Sequence, residues 1–133
     1  MRYTITVLNF YPERLHLLSQ IAIGSVWVFH GLYSKILNGI PRHRLIVGRI
    51  LGAGRAGIAT KVIGLLELLL GGWAITGWHP VWCAAVQTGA LLAMNSLEIL
   101  LARELLISAM GMVALNLGFL SLVWWWATFS WRN

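Results

Sequence analysis

Four long apolar stretches dominate the chain, and short polar breaks that contain glycine, proline or charged residues separate them. A transmembrane helix needs about 20 mostly apolar residues to cross about 30 Å of hydrocarbon. Four segments satisfy this requirement, at about 15–37, 62–78, 81–101 and 105–126, with ends placed to within a few residues. The pattern therefore predicts an all-α fold, a four-helix transmembrane bundle.

Composition agrees with this pattern. Of the 133 residues, 59% are hydrophobic and only 11% are charged, whereas soluble domains carry about 25% charged residues. The length allows one domain, which we predict to cover residues 1–133. The single cysteine, Cys83, excludes an internal disulfide and CxxC chemistry.

The segment between the first two predicted spans is basic. Half of the ten lysines and arginines lie in it, namely Arg42, Arg44, Arg49, Arg55 and Lys61. Its mixed pattern favours a short amphipathic helix at the membrane interface within 42–61. A flexible basic loop is the alternative, because Gly52, Gly54 and Gly57 weaken the second half.

This basic segment also predicts orientation and partners. By the positive-inside rule, we expect loop 38–61 to be cytoplasmic and both termini to lie outside, in a multi-pass protein of the inner membrane. The net charge of +6 is then expected to meet anionic lipid headgroups, not nucleic acid.

Tryptophans cluster towards the ends of the predicted spans that share the side of the termini. This set is Trp73, Trp78, Trp82, Trp124, Trp125, Trp126 and Trp131. Such positions are typical of an aromatic belt at the membrane surface. Only Trp27 is predicted to lie deeper.

Polar side chains within the spans are the candidates for function, because they cost several kcal/mol in hydrocarbon unless they are paired or hydrated. The predicted ligand-binding residues are His30, Lys35, Glu67, Asn95 and Asn116. All five fall in the half of the bundle next to the basic segment, with Glu67 roughly 8 Å into the second span. A packing role for His30 and interhelical hydrogen bonds for the two asparagines are the alternatives.

Glycines indicate which helix faces point inward. Gly64 and Gly71 flank Glu67 at i−3 and i+4, and Gly24 and Gly31 share a stripe with Lys35. We therefore predict a buried Lys35–Glu67 ion pair. The pair would either fix the packing of the two helices or line a pocket that binds a ligand or moves a proton. In a third interpretation Lys35 reaches a lipid phosphate and Glu67 stays protonated.

The sequence gives little support for a metal or haem site. The four histidines show no i, i+4 pairing, and no cysteine cluster accompanies them, so no metal site is predicted. His16 and His79 are the histidines at matching depth on one side, and both fall near the interface, which disfavours haem.

Three short motifs carry a family resemblance. The stretch VWVFHGLYSK at 26–35 resembles the first-helix signature of DoxX-like membrane proteins, an apolar segment with Trp followed by Gly and then Lys. Residues 64–67 resemble the family's Gly-x-x-Glu, and 116–117 its Asn-Leu. The similarity covers about residues 20 to 125. Ser34 and Leu115 depart from it, because the family often has proline and lysine there.

The resemblance implies a compact four-helix bundle. Relatives include membrane subunits associated with thiosulfate and quinone redox metabolism, and a receptor assembly chaperone. Our leading prediction is an accessory or anchoring subunit of a membrane redox process, with a quinone-like or lipid-like ligand near Lys35 and Glu67. The alternatives are a structural or assembly-chaperone subunit without ligand chemistry, and an oligomeric small transporter. Expected partners are lipid and other membrane subunits or further copies of the chain; whether it is an enzyme stays open.

Overall fold

A computed structural model describes residues 2–129 of the protein, with side chains described from Glu13 onward. This part of the chain is mostly helical and contains no strands. The elements are α1 (Arg2–Val28), a π-helical continuation over Phe29–Ile36 that we call the π segment, α2 (Pro41–Leu51), α3 (Ala56–Thr76), α4 (Pro80–Leu101) and α5 (Ala109–Thr128).

Four helices in the described residues are long and apolar enough to cross a membrane. They are Glu13–Ile36, Ala56–Thr76, Pro80–Leu101 and Ala109–Thr128. The predicted all-α bundle of four transmembrane helices is thereby confirmed. The chain is a multi-pass membrane protein whose apolar helix faces contact lipid.

The segment before α3 differs from its prediction. Pro41 starts α2, a position that suits proline because the first turn has no intrahelical N–H partners. The helix ends at Leu51, where Gly52 takes φ 99°, a conformation that favours glycine. A helix is thus confirmed only for the first half of 42–61. The second span begins at Ala56, six residues earlier than predicted, and is 21 residues long.

The connection before α5 is longer than the predicted gap between spans that end at 101 and begin at 105. It runs from Ala102 through a 3₁₀ turn, and α5 begins only at Ala109. Ser108 sets this start, because its Oγ accepts a hydrogen bond from the Gly111 N–H at 3.0 Å. The apolar residues 105–107 therefore precede the helix instead of opening it.

Paired glycines bring the first and second spans into close contact. A Cβ on Gly64 would lie 2.6 Å from the carbonyl oxygen of Gly31 and 2.9 Å from Cβ of Lys35. One heptad away, a Cβ on Gly71 would lie 2.8 Å from the carbonyl oxygen of Gly24. Only glycine allows two backbones to approach this closely. The contact places the π segment directly against the middle of α3.

The main cluster of buried apolar residues fills the half of the bundle away from α2. Trp27, 3% exposed, donates from Nε1 to Oε1 of buried Gln87 at 2.7 Å. Gln87 in turn donates to Sγ of Cys83 at 3.3 Å. These bonds satisfy polar groups that would otherwise be costly to bury.

Trp126 does not belong to an aromatic belt. It is 1% exposed, and its Nε1 donates to Oε1 of Gln20 at 3.2 Å, so it is part of the core. The prediction placed Trp126 in the belt from its position along the helix alone. That position does not determine which face of the helix the side chain lies on. Trp78 and Trp82 are 66% and 70% exposed and fit the belt, whereas Trp131 lies outside the described residues.

Candidate functional site

A cavity of about 640 Å³ lies in the half of the bundle that α2 covers. This volume is within the range of small-molecule sites, about 300–1,000 Å³. Its lining includes all the residues predicted from the sequence: His30, Lys35, Glu67, Asn95 and Asn116. Four further polar residues line it, namely Arg42, His43, Glu98 and Ser108, and the apolar lining includes Trp27, Leu91, Met94, Leu115 and Phe119.

The predicted Lys35–Glu67 ion pair is present. Nζ of Lys35 lies 2.9 Å from Oε1 and 3.0 Å from Oε2 of Glu67, and the two side chains are 11% and 5% exposed. Lys35 therefore points at Glu67 and not at a lipid phosphate. Because α3 starts at Ala56, Glu67 lies about 16 Å along that helix, near its middle and deeper than predicted.

The π segment explains how His30 joins Lys35 in one cavity. In an α-helix, side chains five residues apart point about 140° away from each other. Backbone hydrogen bonds between residues five apart, such as Leu37 N–H to Leu32 O at 2.9 Å, widen the turn here. The wider turn brings His30 and Lys35 nearer to the same side. Such π turns are frequent at functional sites.

Helix α2 contributes side chains that were absent from the predicted site. The ring of His43 stacks on that of His30, with centroids 5.9 Å apart and planes inclined by 27°. Nδ1 of His43 is buried, and among the described residues it has no hydrogen-bond partner. A sequence signal existed: His43, Ile46, Val47 and Ile50 follow the i, i+3, i+4, i+7 spacing of an inward face.

The two asparagines join α4 to α5. Nδ2 of Asn116 donates to Oδ1 of Asn95 at 2.9 Å, which confirms the expected interhelical hydrogen bond. Glu98, one turn from Asn95 towards the end of α4, also lines the cavity. The polar wall thus continues from the ion pair across the bundle to α5.

Basic and acidic side chains line the cavity in equal number. Lys35 and Arg42 are the basic residues, Glu67 and Glu98 are the acidic ones, and the histidines add donors and acceptors. A balanced cavity suits an uncharged polar group better than an isolated ion, because an ion would lose its hydration without a surplus countercharge. Across the described residues, no group of three or more His, Cys, Asp or Glu side chains could hold a metal ion.

His43 lies outside the spans, and its environment disfavours its charged form. Burial, and then the positive charges of Lys35, His30 and Arg42, lower its pKa from 6.5 to about 4. Glu98 also faces this end of the cavity. As the pH falls, His43 takes up a proton at a higher pH in the unfolded chain than in the folded protein. The residue therefore lowers the free energy of unfolding as the pH falls from 6.5 to about 4, and has no such effect above 6.5.

We expect the variant His43→Gln to lose this part of the pH dependence. Unfolding midpoints in detergent, measured from pH 7 to pH 4 for both proteins, test the expectation. The wild-type midpoint should fall further than that of the variant between pH 6.5 and about 4. If the midpoints of the two proteins change with pH in parallel, this packing does not hold His43 in its neutral form.

Comparison with known proteins gives one family match. The model of the DoxX-like family matches residues 24–124, most of the chain. The matched range agrees with the motif resemblance, which extends over about 20 to 125 and is thereby confirmed. Searches of curated proteins and of solved structures gave no match.

Proposed function

Because the chain belongs to the DoxX-like family and has four helices that can cross a membrane, we propose that its cavity binds a quinone-like or lipid-like ligand. In this role the protein is an accessory or anchoring subunit of a membrane redox process. The observation that carries the proposal is the cavity of about 640 Å³ that Lys35, Glu67 and His30 line together inside the bundle.

The distribution of the lining supports an amphipathic ligand. Lys35, His30 and His43 lie towards the α2 end, whereas Trp27 and Phe119 lie deeper, with ring centroids 6.2 Å apart in an edge-to-face arrangement. A polar head would form a hydrogen bond with Nδ1 of His43, which has no partner within the described structure. The apolar part of the ligand would contact the aromatic rings.

The redox part of the proposal rests on the resemblance of the three sequence motifs. The orientation rests on charge: Arg44, Arg49, Arg55 and Lys61 are exposed at the α2 end. This supports an inner-membrane protein whose loop 38–61 is cytoplasmic and whose termini both lie outside.

We take residues 1–133 as one domain that works with other membrane subunits or with further copies of itself.

Purification in a mild detergent followed by extraction and quantification of bound quinone tests this function. Wild type should retain quinone, and Glu67→Gln should retain at least about tenfold less, equivalent to about 1.4 kcal/mol of binding free energy. The control is Glu13→Gln, because Glu13 is exposed at the opposite end of the bundle and should leave occupancy unchanged. Absence of quinone from all three proteins, with no redox partner co-purifying, would count against the proposal.

A further inference from the structure

A second space adjoins the cavity on the lipid-facing side of the bundle. It is a groove of about 370 Å³ between α4 and α5. Leu92 and Leu117, which line it, are 58% and 59% exposed, so the groove faces the bilayer. The groove and the cavity share lining residues Leu91, Asn95 and Asn116. The asparagine pair therefore stands between the two spaces.

The asparagine pair has hydrogen-bonding capacity left over. Its single bond uses one N–H of Asn116 and the side-chain carbonyl of Asn95. Within the described side chains, the Asn95 amide N–H groups and the Asn116 carbonyl make no other hydrogen bond. Polar groups at this depth are costly without a partner. A polar group of a ligand's head, placed where the cavity meets the groove, would satisfy them.

We propose that the groove binds the apolar tail of the ligand whose head occupies the cavity, and that this ligand crosses the bundle wall at Asn95 and Asn116. The inference rests on the proposed function and specifies its ligand class: an amphiphile with an uncharged polar head and a single apolar tail. From Leu91 to Leu100 the groove follows α4 for about 14 Å, a length that suits an extended chain. The cavity lining has no surplus of basic over acidic side chains, which disfavours a phosphate head.

Filling the groove should separate tail binding from head binding. We would measure Kd in detergent for a decyl-tailed quinone and for the same quinone without a tail. Leu117→Trp should raise the Kd of the tailed quinone at least about tenfold, because the larger side chain excludes the tail from the groove. The Kd of the tail-less quinone should stay unchanged. Leu92→Trp, on the facing wall, should do the same. The control is Leu69→Trp, because Leu69 on α3 is 62% exposed and lines neither space.

The outcomes distinguish the two proposals. If both quinones bind the wild type and neither groove variant alters the ratio of their Kd values, the groove is not the tail site. The proposed function of the cavity would then still stand. If neither quinone binds wild type, the proposed function fails and the groove inference fails with it. If excess phospholipid displaces the tailed quinone in proportion to its concentration, the groove belongs to bilayer lipid, and the inference is overturned.

Discussion

Replacing Gly64 with alanine is expected to lower the free energy of unfolding by about 1–3 kcal/mol, the usual cost of overpacking. The added Cβ would lie 2.6 Å from the carbonyl oxygen of Gly31 and 2.9 Å from Cβ of Lys35, so the π segment must move away from α3. Backbone atoms cannot rotate out of the way as the end of a side chain can. Unfolding by SDS titration in mixed micelles measures the change.

Gly72 is the matched control, because it lies in the same helix and a Cβ there would meet nothing within 4 Å. Gly72→Ala should leave stability unchanged or raise it by up to about 1 kcal/mol, the difference in helix propensity between alanine and glycine. Equal effects of Gly64→Ala and Gly72→Ala would show that the first two spans do not make the close contact described.

The buried ion pair should show strong non-additivity. Lys35→Met or Glu67→Leu alone should each cost about 3–5 kcal/mol, because each leaves an unpaired charge where side-chain exposure is 11% or less. The double variant Lys35→Met/Glu67→Leu removes both charges and should recover most of the loss. The measurement is the same SDS titration, analysed as a double-mutant cycle.

An exposed ion pair in the same protein provides the control. Arg49 and Glu104 are 2.6 Å apart, but their side chains are 60% and 51% exposed. Removing either partner should change stability by no more than about 1 kcal/mol. If the double change at Lys35 and Glu67 is as harmful as either single change, the two residues stabilise the fold through more than their mutual pairing.

The double variant also separates packing from ligand binding. A pair that only joins α3 to the π segment can be replaced by apolar residues without functional loss. A pair that contributes to a ligand site cannot be replaced in this way, because the apolar side chains offer no hydrogen bonds to a polar head. A double variant that is stable but retains no quinone would therefore support the proposed function.

Sequence reasoning predicted the features that depend on composition and on spacing along a straight helix. The four spans follow from apolar run length. The inward direction of Glu67 follows from the glycines at i−3 and i+4, and the partner on the first span follows from a matching stripe. Interhelical hydrogen bonding was also expected of Asn95 and Asn116, but only the structure shows that they bond to each other.

The remaining features depend on tertiary contacts or on changes in helix geometry. The π segment alters the angle between His30 and Lys35, and no residue in that stretch indicates the wider turn. The position of His43 over the cavity required α2 to fold back onto the bundle. Gly52 marks the end of α2, but Gly57 and Lys61 gave the first turns of α3 the composition of a basic loop, which concealed the helix start at Ala56.

The most direct test of the central claim, that the cavity is a ligand site, is photoaffinity labelling in lipid with an azido-quinone, followed by peptide mapping. The account predicts labelling near Trp27, His43 and Phe119, which line the cavity, and loss of that labelling when unlabelled quinone is in excess. Labelling spread over exposed faces such as Leu66 and Leu69 of α3, and insensitive to competitor, would contradict it.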